Sequence, residues 1–545
     1  MRHEASDVTL VFNGEIYNHA ELRAEIEASG EIFHSDHSDT EVILRLYLRH
    51  GPDFVKQLNG MFAIAIADGR DRKLWLFRDR FGERPLYYRI SPDGFIFFAS
   101  EFNSLVLPGQ GDHLNGDSLR WFFGMKAMPD DQTIDTRIRR LPAGCRLLWR
   151  HGREPEIERY YDMPRVNDAL LSFEEAADAF KCLLCDAVAL RLRADVEVGA
   201  YLSGGVDSSL ITAVAASMLD HPLRTYCLVY DEEVYQKSAD RRFACMMSQR
   251  LGTRHEEVVL TPDILRDALP LVARQYGQPN AVAVANWFVS QVMRRDIKVA
   301  LTGDGADELF GSYFVHRAAA VLEQDPKATW IPEAERKFVE TLPIINVATL
   351  YGRFAVFSHD EIEALLSPEA PPGTSVKDRL EIREAGLRST GLYNRVLEYE
   401  VRHQLTEQIL NYVDVLSMAH AVEPRVPYLD HRLVELVSSL PSSYKNCQGQ
   451  TKRLLKRVAE AYLPNELIHR PKEGFIEPNV HWLRGPLKSY AIDIFTSPSF
   501  NKLGLLRTDI VHELVDCFFK TNDFNLGKKV WLLLQFALWE REASQ

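Results

Sequence analysis

The first hundred residues alternate between short apolar runs and polar breaks. Runs rich in β-branched and aromatic residues lie at 8–17, 61–68, 73–80, 85–90 and 94–100. Glycine, aspartate and proline separate them, mostly at intervals of about 8–12 residues, which is typical of antiparallel strands joined by short turns. A single helix is predicted at 19–29. This part of the chain should therefore form an α+β domain built on antiparallel strands.

The pattern changes near residue 164. Ser172 and Glu175 have the spacing of a capping box, which predicts the start of a long amphipathic helix. Strand-like runs then alternate with helical patterns, the strands at 196–202, 224–230, 255–261 and 297–303 and the helices at 208–219, 241–251 and 263–275. This alternation predicts a doubly wound parallel α/β sheet. From about residue 313 the pattern is helical to the end, so we predict two domains, 1–163 and 164–545.

Composition and charge exclude several classes of protein. At 545 residues the chain is too long for one compact core, and its 46% apolar and 26% charged residues match the globular average. Lys and Arg total 64 against 77 Asp and Glu, which gives a net charge of −13. An acidic chain without a long basic run is poorly suited to bind nucleic acid or an anionic membrane surface.

The lengths of the apolar runs and the number of cysteines indicate where in the cell the chain is expected. The longest apolar runs, at 61–67 and 530–534, are far shorter than the ~18–20 residues that span a bilayer. The first residues have no signal-peptide pattern, and seven scattered cysteines favour a reducing, cytoplasmic location. Cys182 and Cys185 are spaced as C-x-x-C within the helix that follows Ser172. We expect them to be buried core thiols rather than a metal or redox pair.

The most specific local motif is YLSGGVDSS at 201–209. It follows a predicted buried strand and opens a helix, so the backbone N–H groups of Ser203, Gly204 and Gly205 would form an anion cradle with the helix N-terminus. Asp207 would repel a phosphate unless a cation such as Mg²⁺ lies between them. The Walker pattern is absent. The alternative is a strand-to-helix turn, capped by serine and aspartate, that binds no ligand.

A second glycine-rich loop, LTGDGADELFGSY at 301–313, also follows a predicted strand. It carries Asp304, Asp307 and Glu308. Because the carboxyl ends of the strands in a doubly wound sheet line one crevice, both acidic loops should face the same cleft. Asp307 can then supply a second carboxylate for a metal held by Asp207. The alternative is an acidic surface loop without a ligand.

These motifs carry a resemblance to a known family. SGGVDS at 203–208 is similar to the pyrophosphatase loop of N-type ATP pyrophosphatases. With the loop at 301–313, SMAHAVEPRVPYLD at 417–430 and HRPKEGF at 469–475, it resembles the synthetase domain of the asparagine synthetase family. The N-terminal part of the chain resembles that family's glutaminase domain in five segments: FNGEIYNH at 12–19, HSDTE at 37–41, LNGMFAIAIAD at 58–68, FRDRFGERPLYY at 77–88 and FASEFNSL at 98–105.

The resemblance implies a fold and an activity. The fold would be an antiparallel β sandwich of the N-terminal-nucleophile type, incomplete at its start, followed by the α/β sheet and a helical C-terminal part. The enzyme would use ATP and Mg²⁺ to adenylate a carboxylate, most simply that of aspartate. It would then aminate the acyl-AMP with nitrogen from glutamine or ammonia and release AMP and PPi. Members of the family are often homodimers, so a homodimer is a candidate assembly.

The resemblance also assigns roles in the synthetase domain. ATP contacts would come from Leu202, Ser203, Gly204, Gly205, Asp207, Ser208, Leu228, Thr302 and Gly303. Asp207 and Asp307 would bind Mg²⁺, and Lys472 would offset the charge that develops at the α-phosphate. Asp304, where many members have Glu, would assist attack on the acyl-adenylate. Arg425 and Asp430 would organise the acceptor pocket, with a structural ion pair as the alternative for Arg425.

In the glutaminase domain, Asn13 and Gly14 would donate hydrogen bonds to the tetrahedral intermediate, and Glu15 and Asp39 would hold the amine of glutamine. The family's nucleophilic cysteine, which follows the initiator Met, has no counterpart, because the first cysteine here is Cys145. By comparison with the family, roughly 60 residues of this domain are absent before its first motif. Either the true start lies upstream, which we favour because lost strands would expose sheet edges, or the chain takes ammonia, free or from a separate glutaminase.

Two rival functions are considered. A cyclase similar to β-lactam synthetases, in which an internal amine attacks the adenylate, also has a degraded glutaminase domain. The retained FNGEIYN and SDTE motifs argue against it. A non-catalytic regulatory homologue is disfavoured because Asp207, Asp304, Asp307 and Lys472 are intact.

Overall fold

Three sheets organise the computed structural model of the chain. The structure describes residues 1–3, 6–107, 113–164, 171–230, 238–281, 284–324, 331–342, 345–470 and 478–543. Two antiparallel sheets form in the N-terminal part, and a parallel sheet and a large set of helices follow. Within these ranges no helix is both long and apolar enough to cross a membrane.

In the described residues, the N-terminal part contains nine strands. Their bounds are β1 Arg2–His3, β2 Val8–Ile16, β3 Gly60–Asp68, β4 Lys73–Arg78, β5 Tyr87–Ile90, β6 Ile96–Ala99, β7 Arg139–Arg140, β8 Cys145–Trp149 and β9 Glu156–Arg159. Six of them form one antiparallel sheet in the order β1-β2-β3-β4-β8-β9, and three form another in the order β6-β5-β7. The five strands predicted from the apolar runs are present as β2 to β6, with ends within two residues of the prediction.

Helices and the second sheet cover the two faces of the six-stranded sheet. The three helices of this part are α1 His19–Ala28, α2 Asp39–His50 and α3 Gly116–Met125. Residues such as Leu10 and Ile64 face a core that α1 and α2 close. Ala65 and Leu76, on the opposite face, pack with Tyr88 of the three-stranded sheet. The predicted antiparallel α+β domain is confirmed.

The prediction of a single helix among the first strands is wrong, because α2 is a second one. Ser38 caps it by accepting a hydrogen bond from the backbone N–H of Glu41 at 3.4 Å. Its apolar run, at residues 42–47, is buried almost continuously, so the run resembles a buried strand as much as a helix. Periodicity alone does not separate these two cases.

The second part is built on a five-stranded parallel sheet. Its strands are β10 Val198–Tyr201, β11 Arg224–Tyr230, β12 Arg254–Leu260, β13 Val299–Leu301 and β14 Glu423–Arg425. The connecting helices are α4 Phe173–Arg191, α5 Val206–Met218, α6 Ser238–Leu251, α7 Pro262–Tyr276, α8 Ala285–Met293 and α9 Ala306–Phe310. The strand order is β12-β11-β10-β13-β14, so the direction of winding reverses between β10 and β13. Neighbouring residues Val299 and Ala300 enter two different cores, which shows that both faces are covered. The predicted doubly wound sheet is therefore confirmed.

Strand β14 was not predicted, because it is three residues long and contains Pro424. A proline cannot donate to a strand ladder, and it is tolerated here because β14 is the edge strand of the sheet. Its position next to β13 brings Arg425 level with Leu301.

Helix α4 begins with the predicted capping box between Ser172 and Glu175. The prediction that its two cysteines are buried is wrong: Cys182 is exposed and Cys185 is half-buried, with its sulfur 3.4 Å from the hydroxyl of Tyr462. The buried stripe of α4 runs through residues such as Phe180 and Leu184. Cys185 packs against the edge of this core, whereas Cys182 faces solvent.

Helices dominate the rest of the chain. They are α10 Phe314–Gln324, α11 Glu333–Glu340, α12 Val347–Gly352, α13 His359–Leu365, α14 Val376–Ala385, α15 Leu392–Tyr399, α16 Asn411–Met418, α17 His431–Ser439, α18 Ser442–Lys445, α19 Arg453–Ala459, α20 Asn465–Ile468, α21 Asn479–Arg484, α22 Lys488–Thr496, α23 Thr508–Lys520 and α24 Phe524–Ala543. A π-helical segment, Glu400–Leu410, joins α15 and α16.

Helix α3 belongs to the N-terminal part of the sequence but packs in the C-terminal helical core. The ring centroid of Phe123 lies 5.2 Å from that of Phe536 in α24. A Cβ on Gly116 would fall 2.1 Å from the carbonyl oxygen of Pro372, so only glycine permits this approach. Helix α3 therefore joins the N-terminal part to the core of the C-terminal helices, while the six-stranded sheet keeps its own cores.

Candidate active site

The glycine-rich loop at 202–205 turns the chain from β10 into α5. Gly204 has a φ of +77°, and a Cβ there would lie 2.2 Å from the carbonyl oxygen of Asp240, so the turn requires glycine. The backbone N–H of Ser203 donates to the hydroxyl of Ser208 at 3.2 Å, which closes the loop onto the first turn of α5. The predicted strand–loop–helix arrangement of an anion cradle is present.

The second loop, at 302–305, follows β13 and touches the first. A Cβ on Gly303 would lie 2.8 Å from the backbone nitrogen of Ser208. β10 and β13 are adjacent and parallel, and the winding of the sheet reverses between them. Ligands of doubly wound sheets bind in the crevice at this point. The structure thus brings together the two loops that the sequence placed on one crevice.

The carboxylates of Asp207 and Asp307 meet on one buried lysine. Lys452 lies at the start of α19 with its Nζ atom 2.6 Å from Oδ2 of Asp207 and in contact with Oδ1 of Asp307. Burial disfavours the ammonium charge, but the two carboxylates raise the pKa of Lys452 above its ordinary value. The lysine therefore stays charged and links the two loops.

Sequence reasoning missed Lys452. The run GQTKR at 449–453 contains turn residues before a helix, which predicts a loop, but a lysine in such a loop is usually exposed. Its two partners lie far away in the sequence, so no local signal reveals that its side chain is buried.

Further acidic side chains lie near Asp207 and Asp307. Loss of solvent contact raises the pKa of Asp304 to about 6, and the charges of Asp307 and Asp207 act in the same direction. Burial, with the charges of Asp307 and Glu400, also raises the pKa of Glu308. The hydroxyl of Tyr313 donates to Glu308 at 2.5 Å. The cluster carries more negative charge than Lys452 alone neutralises.

The site fits a divalent cation as well as the lysine. Oδ1 of Asp207 is buried and has no hydrogen-bond partner among the described residues. It lies in a group of carboxylate oxygens, which are the ligands that Mg²⁺ prefers. The carboxylates of Asp207 and Asp307 could therefore hold Mg²⁺, and their role as metal ligands stays a prediction.

A cavity of about 780 Å³ opens above these loops. The predicted residues that line it are Ser203, Gly205, Asp207, Ser208, Leu228, Thr302, Gly303, Asp304 and Asp307. Leu202 and Gly204 do not line it: the side chain of Leu202 is fully buried beneath the loop, and Gly204 abuts Asp240. Any contact of these two residues with a nucleotide would therefore use backbone atoms.

Lys472, the predicted charge-stabilising residue at the α-phosphate, lies outside the described residues. The described segment before it ends at Arg470, which lines the cavity and pairs with Asp240. Asp240 lies in the first turn of α6 and also lines the cavity. The ion pair is therefore part of the cavity wall.

The predicted glutamine residues lie together at the end of β2 and the start of α2. Gly14 has a φ of +145°, and a Cβ there would overlap the carbonyl oxygen of Met61. The amide of Asn13 donates to the hydroxyl of Ser100 at 2.9 Å. Asp39 accepts from the backbone N–H of Ile16 at 3.3 Å, and burial raises its pKa.

Glu15 is engaged across the boundary between the two parts of the chain. Its Oε2 atom lies 3.1 Å from a guanidinium nitrogen of Arg425, the residue that ends β14. Burial raises the pKa of Glu15, the Arg425 charge lowers it, and the Asp39 charge raises it again. In this structure Arg425, rather than an amine, is the cationic partner of Glu15.

Arg425 and Asp430 do not line the cavity, so the prediction that they organise the acceptor pocket is not matched by their position. Arg425 donates to the backbone carbonyls of Arg191 and Arg193 as well as pairing with Glu15 and Glu423. Asp430 pairs with Arg191 and Arg432 and accepts from Asn59. Both residues tie the two parts of the chain together, which agrees with the alternative of a structural ion pair.

Comparison with known proteins gives two family matches. The model of the asparagine synthase family matches residues 179–541, and that of the glutamine amidotransferase domain matches residues 1–161. Together they cover the antiparallel sheets and the parallel sheet with its helices.

Individual relatives agree with these matches. "Asparagine synthetase (glutamine-hydrolyzing) 1" of Bacillus subtilis is 29% identical, over 99% of this chain and 86% of that protein. A "putative asparagine synthetase (glutamine-hydrolyzing)" of Mycobacterium bovis is 31% identical, over 98% of this chain and 85% of that protein. The solved glutamine PRPP amidotransferase of B. subtilis is 18% identical, covers 48% of this chain and 62% of its own, and has a TM-score of only 0.23, which does not establish a shared fold.

Proposed function

The chain belongs to the asparagine synthase family, and from this premise we propose that it is a carbon–nitrogen ligase that converts aspartate to asparagine with ATP. Nitrogen would come from glutamine, through the glutamine amidotransferase domain, or directly from ammonia. AMP and PPi would be the products of the nucleotide.

One observation carries the proposal. Asp207 and Asp307 follow β10 and β13, and Lys452 reaches them from the start of α19, so the three meet at the reversal point of the sheet, on the wall of a cavity of about 780 Å³. A cradle of backbone N–H groups beside a cation and two metal-binding carboxylates suits the pyrophosphate part of ATP. The cavity size is within the range of ligand pockets.

The chemistry needs two displacements. A carboxylate oxygen of the acceptor attacks the α-phosphorus of ATP, and the bond to PPi breaks to give an acyl-AMP. Ammonia then attacks the acyl carbon, loses a proton, and displaces AMP to give the amide. The first step makes a poor electrophile reactive, and the second uses that reactivity.

This chain's residues have distinct roles in the proposal. The N–H groups of the 202–205 loop and Lys452 bind the departing pyrophosphate. Mg²⁺ bound by Asp207 and Asp307 would supply further positive charge there. Lys472 would offset charge at the α-phosphate. Asp304, with a pKa of about 6, is suited to accept the proton that ammonia loses near neutral pH.

The amidotransferase side contributes glutamine contacts in this proposal. Asn13 and Gly14 would stabilise the oxyanion, and Asp39 would hold the amine of glutamine. Glu15 would bind that amine while it keeps its ion pair with Arg425. Glutamine binding would then alter the ion pair that joins the amidotransferase part to the synthetase part.

The test uses the purified chain with ATP, Mg²⁺, aspartate and ammonium, so that the synthetase site is measured without the glutaminase reaction. We expect asparagine, AMP and PPi in equal amounts. Glutamine is then substituted for ammonium to assay the first domain. Release of AMP and PPi only with an amine-bearing acid other than aspartate, and a cyclic product instead of asparagine, would contradict the proposal and support a cyclase.

A further inference from the structure

A cluster of metal-binding side chains lies on the edge of the parallel sheet. Ligand atoms of Cys227 on β11 and of His255 and Glu257 on β12 all lie within 4.8 Å of one another. The strand register explains this: Cys227 is level with Glu257, and His255 lies two residues before Glu257, on the same face of β12. Three different ligand types thus converge at one place outside the loops that hold Asp207 and Asp307.

The spacing of the cluster suits direct coordination. The sulfur of Cys227 lies 3.4 Å from Nε2 of His255. Two ligands of a tetrahedral zinc ion, with Zn–S of about 2.3 Å and Zn–N of about 2.0–2.1 Å, are roughly 3.5 Å apart. The thiol and the imidazole therefore already have the separation that one shared ion requires.

A second set of contacts orients these ligands. Nδ1 of His255 is 3.0 Å from the hydroxyl of Thr225, which is level with it on β11, so Nε2 is left to face Cys227. Metal-binding histidines usually have their other ring nitrogen hydrogen-bonded in this way. Arg241 on α6 holds Glu257 through contacts of 2.8–3.0 Å.

The solvent exposure and the charges of these side chains also suit a bound metal ion. Cys227 is buried, whereas His255 and Glu257 are half-buried, so an ion can reach the cluster from solvent. Cys245, one turn after Arg241 on α6, places its sulfur 3.2 Å from Glu257 and brings a second thiol to the rim. A divalent ion would balance the thiolate of Cys227 and the carboxylate of Glu257.

We propose that Cys227, His255 and Glu257 bind a transition-metal ion of the Zn²⁺ class, separately from the Mg²⁺ site. The mixed sulfur, nitrogen and oxygen ligands select such an ion over Mg²⁺, which takes oxygen ligands. The ion would join β11 to the edge strand β12. Cys227 precedes Leu228 and also lines the main cavity, so the ion would brace the strand that forms one wall of the proposed nucleotide site.

The experiment uses Co²⁺ alone as the probe, with the full chain stripped of metal and kept reduced. Thiolate coordination gives Co²⁺ an intense near-ultraviolet charge-transfer band, which the all-oxygen site of Asp207 and Asp307 cannot give. We expect this band to saturate at one Co²⁺ per chain and to disappear when Zn²⁺ is added.

Variants test each ligand. Cys227→Ser should abolish the band, and His255→Gln and Glu257→Gln should each weaken Co²⁺ binding by at least about tenfold. Thr225→Val should weaken it by roughly 10–100-fold, because it removes the hydroxyl that orients His255. The same hydroxyl also contacts that of Thr253, so circular dichroism checks the fold of this variant. Cys517→Ser, at an exposed thiol on α23, is the matched control and should leave the band unchanged.

Several outcomes would overturn the proposal. These are no charge-transfer band, a band that survives Cys227→Ser, or a band that is lost in Cys517→Ser. If Cys227→Ser does not fold, the half-buried His255→Gln variant decides, with circular dichroism as the check on folding. Full Co²⁺ affinity in a folded His255→Gln protein would exclude the site.

Discussion

The ammonium group of Lys452 lies 2.6 Å from Oδ2 of Asp207, although the two residues are 245 positions apart in the sequence. The same Nζ atom contacts Asp307, so one side chain from the helical part holds the two acidic loops of the sheet together. This arrangement keeps like charges close to one another before any ligand arrives. In the proposed reaction, Lys452 and the Mg²⁺ held by the two aspartates would balance the negative charge of pyrophosphate.

The two aspartates should be essential for adenylation. We expect Asp207→Asn and Asp307→Asn each to abolish ATP-dependent release of PPi, because a neutral amide binds Mg²⁺ poorly. PPi release with aspartate and ammonium is the measurement, and circular dichroism checks the fold. Asp263→Asn, at an exposed position in α7, is the control. PPi release at the wild-type rate in either loop variant would show that the loop binds no catalytic metal.

Lys452 should contribute to the rate through its charge. Lys452→Met removes the cation that we propose to bind the departing pyrophosphate, and losing one such group typically costs ~10²–10³-fold in rate. The rate of PPi release at saturating ATP is the measurement. Lys377→Met, on the exposed side of α14, should have no effect. Lys452→Met with a normal rate and a lowered melting temperature would mean that the lysine is only structural.

Much of the fold follows from local sequence patterns, whereas the site follows only in part. Alternating apolar runs place strands such as β2 and β11 closely, and glycines mark both loops, because these signals depend on near neighbours. Lys452 could not be identified, since its burial depends on contacts far along the chain. The partner of Arg425 could not be identified for the same reason, because Glu15 is 410 positions away.

The pair formed by Arg425 and Glu15 should stabilise the contact between the two parts of the chain. Arg425→Met removes the ion pair with Glu15, whereas Glu423 keeps its second partner, Arg84. Breaking a buried pair typically costs about 3–5 kcal/mol. We expect a clearly lower melting temperature by calorimetry. Arg457→Met, which removes an exposed pair with Glu174, should change it little. Equal melting temperatures for the two variants would contradict a role of Arg425 at the interface.

Asp304 should set the pH dependence of amide formation. With a pKa of about 6, its carboxyl group is mostly ionised only above that pH, and only the ionised form can act as a base. The rate with ammonium, compared at a fixed concentration of uncharged ammonia, should fall as the pH drops through about 6. Asp304→Glu should retain a pH-dependent rate, and Asp304→Asn should remove most activity while PPi release continues. An unchanged pH profile in Asp304→Asn would assign the proton transfer to another group.

The same carboxyl group should also make stability depend on pH. Its pKa in the folded protein, about 6, is above the ordinary value of 3.8, so the folded state binds the proton more tightly than the unfolded state. The stability that the protonated form provides is complete below about pH 3.8 and is lost as the pH rises through about 6. Asp304→Asn mimics the neutral carboxyl group at every pH. We therefore expect this variant to melt at a higher temperature than the wild type at pH 7.5, and at nearly the same temperature near pH 4. A variant that is less stable at pH 7.5 would show that the charged form of Asp304 is stabilised by contacts other than those with Thr302.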